Sequence, residues 1–123
     1  MFRRFTTRLG YAFRGLWHAA RMDVAFLEHL ICTVAVVVAA VVLRVNLVEA
    51  SLLTLCVFAV VTAEMFNTAL EQFVRAVHPE KNPEIGKALD IAAGAVLVAS
   101  CGAAIVGGII FAYRLGILFS WWK

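Results

Sequence analysis

The chain has 123 residues, 63% of them hydrophobic, and a mean hydropathy of +0.92. So short a chain holds one domain at most, and so apolar a composition excludes a soluble globule and points to a small integral membrane protein. Eleven Lys and Arg against eight Asp and Glu leave a net charge of +3, a modest excess whose placement matters more than its sum, and no nucleic-acid partner is expected. Cys32, Cys56 and Cys101 lie in apolar stretches without metal-ligand spacing. They read as free thiols.

The expected class is all-α, a single domain over 1–123. Phe2 to Met22 is studded with Arg3, Arg4, Arg8, Arg14 and Arg21 and has no unbroken apolar run, so it reads as part of the mature protein, not as a cleaved signal. Phe2, Phe5, Leu9, Phe13, Leu16 and Ala20 recur at steps of three and four with arginines between them. This predicts an amphipathic helix over 2–22 lying in the membrane surface, its cations toward lipid phosphates.

Three spans follow, expected at 29–48, 50–77 and 88–113. Asn46 to Glu49 is expected as the first turn, and His78-Pro-Glu-Lys-Asn-Pro-Glu-Ile-Gly86 as a polar loop. Trp121 and Trp122 read as an interfacial aromatic anchor. With three spans, the N-terminal segment and the second loop share one side. Eight cations fall there (Arg3, Arg4, Arg8, Arg14, Arg21, Arg75, Lys81, Lys87) and three on the other (Arg44, Arg114, Lys123). That asymmetry predicts a multi-pass membrane protein with its N-terminus in the cytoplasm. Ala95, Ala99, Ala103 and Gly107 form a small-residue stripe suited to close helix packing. Three spans make a thin bundle, so a homo-oligomer is expected to bury the polar face.

The chemistry-bearing run is Ala63-Glu-Met-Phe-Asn-Thr-Ala-Leu-Glu71. Spacings of three and four put Glu64, Asn67 and Glu71 on one helical face. Ala50 to Ala63 carries no charge, so Glu64 sits at or just inside a membrane boundary, where an ionisable side chain usually faces the bundle interior. A carboxylate withdrawn from water suits a general base, and Glu71, nearer the cytoplasm, suits a hard cation that prefers oxygen ligands. Asp23 and Asp90 are expected to converge at that depth. The alternative is a helix–helix hydrogen-bond cluster without catalysis. His18, His29 and His78 are assigned no chemistry: a surface-helix polar face, the start of a span and a loop. No Walker-type glycine loop is present.

Glu64-x-x-Asn67-Thr-Ala-Leu-Glu71, followed after the loop by Gly86-Lys-Ala-Leu-Asp90-Ile-Ala-Ala-Gly-Ala-Val-Leu97, resembles the small prokaryotic diacylglycerol kinase and undecaprenol kinase family. The likeness also takes in Gly10-Tyr11 and Gly15-Leu16 of the surface helix, the three spans and the loop lengths, and so covers nearly the whole chain. It implies a homotrimeric membrane kinase that phosphorylates a lipid alcohol, diacylglycerol or undecaprenol, with ATP and Mg2+. By position Glu64 would be the general base, Asn67 would order the site, and Glu71 and Asp23 would hold the metal, Asp23 standing where the family usually has a glutamate. Arg4, Tyr11, Glu80, Asn82 and Asp90 fall where relatives contact nucleotide.

Three positions depart from the pattern. Leu89 stands where a lysine normally precedes the aspartate, Arg75 where an aspartate is usual, and Leu27 where an arginine is common. Lys87 or Arg75 is the candidate replacement for the missing phosphate-facing cation. Two other readings are open to the same sequence: a non-catalytic relative that binds lipid or a partner, and a small proton-coupled exporter. The exporter wants four spans and a lone carboxylate. Transfer of phosphate from ATP to a panel of lipid alcohols separates the three.

Overall fold

The structure is a computed structural model that describes residues 1–22 and 24–121. It holds four helices and, among the described residues, no strand: α1 (Phe2–Met22), α2 (Val24–Val42), α3 (Leu47–Val77) and α4 (Pro83–Leu118). Of these, α2, α3 and α4 are long and apolar enough to cross a membrane. At 1.5 Å per residue, α2 is about 28 Å long, close to the hydrocarbon thickness, while α3 and α4 reach about 46 and 54 Å and must project beyond it.

The helix ends differ from the expected spans. α2 stops at Val42 rather than continuing to Val48, because Arg44 takes a left-handed φ of 51°. Arg44 N–H donates to Val41 O at 3.2 Å and Val45 N–H to Ala40 O at 3.1 Å, the paired bonds that close a helix C-terminus. Glycine usually occupies that position, so an arginine there concealed the stop. Asn46 then caps α3 in a reciprocal box: its side chain accepts from Glu49 N–H, and its own N–H donates to Glu49 Oε2, both at 2.9 Å. α4 likewise starts at Pro83, inside the expected polar loop. The Asn82 side chain accepts from the N–H groups of Glu84 and Ile85, and Pro83 fills the first turn, where no donor is needed.

α3 and α4 pack antiparallel along most of their length, α2 lies mainly against α3, and α1 folds back onto α2 and α3. Leu53, Val60, Glu64, Asn67 and Thr68 form the buried stripe of α3. From α4, Gly107 faces Leu53 (a Cβ there would lie 3.9 Å from Leu53 Cδ2), and Ala99 and Ala103 are half-buried, whereas Ala95 is exposed. Among the described residues only Ala19, Leu53, Val60 and Ile110 are buried hydrophobics. Nearly all the apolar surface of α2–α4 therefore points outward, as expected where lipid or neighbouring protein, not an internal core, receives it.

Candidate active site

One contact marks the cross-helix register: His29 Nε2 of α2 lies 3.4 Å from Glu64 Oε2 of α3. Because the two helices run antiparallel, five residues back from His29 to Val24 match five residues forward from Glu64 to Ala69. Glu71 and Arg75 therefore stand above the level where α2 begins. Glu64 stands about 7 Å below it. The face is graded from buried to wet: the Glu64 side chain is 5% exposed and that of Glu71 is 39% exposed.

Asn67 sits between the two carboxylates and is buried. Its Nδ2 donates to Glu71 Oε1 at 3.2 Å, while its Oδ1 is buried without a hydrogen-bond partner. A buried acceptor left unpaired costs free energy unless a ligand, ion or water completes it, so this oxygen marks a place where a donor or cation belongs. The second Glu71 oxygen, Oε2, lies 3.8 Å from Arg75 Nη2. Glu71 is thus held by Asn67 on one side and faces a cation on the other.

The remaining sequence candidates are distributed among other surfaces. Asp23 lies outside the described residues. Asp90 is exposed and takes no part in the contacts around Glu64 and Glu71, and no group of three His, Cys, Asp or Glu side chains is near enough to hold a metal among the described residues. Arg4 and Tyr11 line a cleft along α1 with Arg3, Thr7 and Arg8, and Arg14 stacks its guanidinium over the Tyr11 ring at 5.4 Å. Glu80 and Asn82 line a different cleft, between the end of α3 and the start of α4, which also takes in Arg75, His78, Lys81 and Leu89. The Asn82 side chain is occupied as the α4 cap. Lys87 is exposed and pairs with Glu84 at 2.9 Å.

The sequence reading took His29 as the start of a span and assigned it no chemistry, whereas the structure puts it inside α2 and against Glu64. The pair joins residues on separate helices, and helical periodicity carries no sign of it.

The profile of the family described as prokaryotic diacylglycerol kinase matches residues 10–111. The chain belongs to the prokaryotic diacylglycerol kinase family. As a member it is a membrane protein and a lipid kinase. It is 30% identical over 112 residues to the undecaprenol kinase of Bacillus subtilis (strain 168), covering 91% of each chain. It is 38% identical over 99 residues to a diacylglycerol kinase of Synechocystis sp., covering 80% of this chain but 57% of that longer relative. The family match takes in Tyr11, the Glu64–Glu71 face and Asp90 but begins after Arg4.

Proposed function

We propose that this chain transfers the γ-phosphoryl group of ATP to the hydroxyl of a membrane lipid alcohol, diacylglycerol or undecaprenol, at the cytoplasmic face of the inner membrane, and that it works as a homotrimer with its N-terminus in the cytoplasm. The observation that carries this reading is the graded face of α3, with a buried carboxylate below and a half-exposed one above. A lipid hydroxyl arriving from the bilayer meets Glu64 first, and a nucleotide arriving from water meets Glu71 first.

In the proposed reaction, Glu64 accepts the proton of the lipid hydroxyl. The hydroxyl oxygen forms its bond to the γ-phosphorus as the bond from that phosphorus to the β,γ-bridging oxygen breaks, and the electron pair leaves with ADP. The proton ends on Glu64. Asn67 fixes Glu71 through its Nδ2. Arg4 and Tyr11 of the α1 cleft, with Glu80 and Asp90 around the start of α4, are the proposed nucleotide contacts, and Arg75 rather than the Glu84-paired Lys87 supplies the cation beside them. Asn82 contributes by capping the helix on which Asp90 stands.

The oxygen donors present suit Mg2+, which takes one or two carboxylates and completes its shell with phosphate oxygens and water. Glu71 and Asp23 are the proposed ligands, and the unpaired Asn67 Oδ1 is a further oxygen on the same face. When bound, the ion supplies neutralisation of phosphate charge.

The test is phosphate transfer from labelled ATP by the purified chain in lipid, with diacylglycerol and undecaprenol offered separately. Labelled lipid phosphate from one alcohol in large excess over the other assigns the acceptor. ATP hydrolysis without a lipid product would refute the proposal.

A further inference from the structure

We infer that His29 is a positioning residue for the proposed base: it holds the Glu64 carboxylate in the orientation from which that group takes the lipid hydroxyl proton. The inference rests on the reading of Glu64 as the base. The Nε2 to Oε2 distance of 3.4 Å joins α2 to α3 beside the most buried carboxylate among the described residues.

A glutamate ends in a soft torsion with a broad, roughly two-fold profile, so an unheld carboxylate spreads its two oxygens over many directions. A partner at Oε2 narrows that freedom and leaves Oε1 for the substrate. The imidazole is itself largely covered, at 23% exposed. It borders a cavity of about 100 Å³ walled by apolar side chains that include Val36, Leu53, Val57 and Val60. The main chain beneath it is tied by the Thr33 hydroxyl, which donates to His29 O at 2.8 Å.

Histidine suits the task better than a stronger base would. A lysine at this depth would set a full positive charge against Glu64 and make it a poorer proton acceptor. A neutral imidazole with its proton on Nε2 can turn that N–H onto Oε2 from 3.4 Å away without adding a charge beside the carboxylate. Contacts of this kind are often long before substrate binds and tighten in the complex.

The experiment uses the full chain in lipid and measures kcat and both KM values for the parent, His29→Phe, His29→Gln, Glu64→Gln and the His29→Phe/Glu64→Gln double variant. Phenylalanine keeps the ring and removes the N–H, whereas glutamine restores an N–H donor. His29→Phe should lower kcat about tenfold, because small misplacement of a reacting group is costly, with both KM values kept within about twofold. His29→Gln should return to within about threefold of the parent. Once Glu64→Gln has removed the base, His29→Phe should lower the residual rate no further.

A parent-like kcat in His29→Phe overturns the inference, as does an equal loss in both backgrounds or a His29→Gln variant as slow as His29→Phe. If Glu64→Gln itself runs at the parent rate, the base reading falls and this inference with it. A collapsed Glu64→Gln beside a parent-like His29→Phe removes the role of His29 alone.

Discussion

Arg114 donates from Nε to Glu49 Oε2 at 2.7 Å, joining the last part of α4 to the first turn of α3 across sixty-five residues. The same carboxylate oxygen accepts from Asn46 N–H, so one glutamate closes the α3 cap and anchors the antiparallel partner helix. Both side chains are mostly covered, at 18% and 13% exposed, and the pair lies at the end of the bundle away from Glu64, about 22 Å along α3.

The pair makes a prediction about assembly. Removing one partner leaves the other charge largely covered and without its partner, whereas removing both together is less harmful. Arg114→Leu and Glu49→Leu should each lower the melting temperature in detergent, Glu49→Leu further because it also breaks the cap. The double variant should melt above Glu49→Leu, with transfer activity per folded molecule close to the parent. A double variant that melts at the sum of the two losses would mean the contact contributes nothing.

A second prediction concerns Glu64. Glu64→Gln keeps size and hydrogen bonding but takes no proton, so turnover should fall about a hundredfold or more while the protein still assembles. Turnover near the parent value, measured as labelled lipid phosphate formed per minute, would rule out Glu64 as the base.

The third prediction addresses Glu71 and Asp23. A magnesium ion held by these carboxylates would neutralise phosphate charge, so loss of either proposed ligand should raise the magnesium concentration needed for half-maximal rate. Titrating magnesium against Glu71→Gln and Asp23→Asn decides the matter, and an unchanged requirement in both removes them from the metal site. Asn67→Ala should show a smaller increase, since it frees Glu71 Oε1 from its 3.2 Å contact without removing the carboxylate.

What the sequence disclosed follows from what a helix period encodes. Glu64, Asn67 and Glu71 were legible as one face because three- and four-residue steps are a property of a single helix. His29 against Glu64 and Arg114 against Glu49 were not, because each pair depends on the register between two helices. The α2 terminus was hidden because Arg44 occupies a left-handed position that sequence reading assigns to glycine. The start of α4 was written plainly in Asn82-Pro83, yet the two prolines and the surrounding polar residues made the whole segment look like a loop.

The last prediction concerns the cation missing at Leu89. Lys87 is a poor replacement, because it is exposed and paired with Glu84. Arg75 lines the same cleft as Leu89 and is 71% exposed, free to turn from Glu71 toward a phosphate. Arg75 is therefore expected to substitute for the absent lysine, and Arg75→Gln should raise the KM for ATP. A charge-assisted hydrogen bond contributes about 1.5–3 kcal/mol, and the exposure of Arg75 puts the effect at the low end, about tenfold. The same variant removes the cation 3.8 Å from Glu71 Oε2, so it should lower the magnesium requirement while it weakens ATP binding. The two readouts move in opposite directions, which a general loss of structure would not produce. Adding Leu89→Lys should restore the ATP KM of Arg75→Gln, and Lys87→Ala should matter little in either background. The measurement is a double-mutant cycle between Arg75→Gln and Leu89→Lys with ATP as the varied substrate. Additive effects would show that the two positions do not serve the same phosphate, and a large penalty from Lys87→Ala alone would return the role to Lys87.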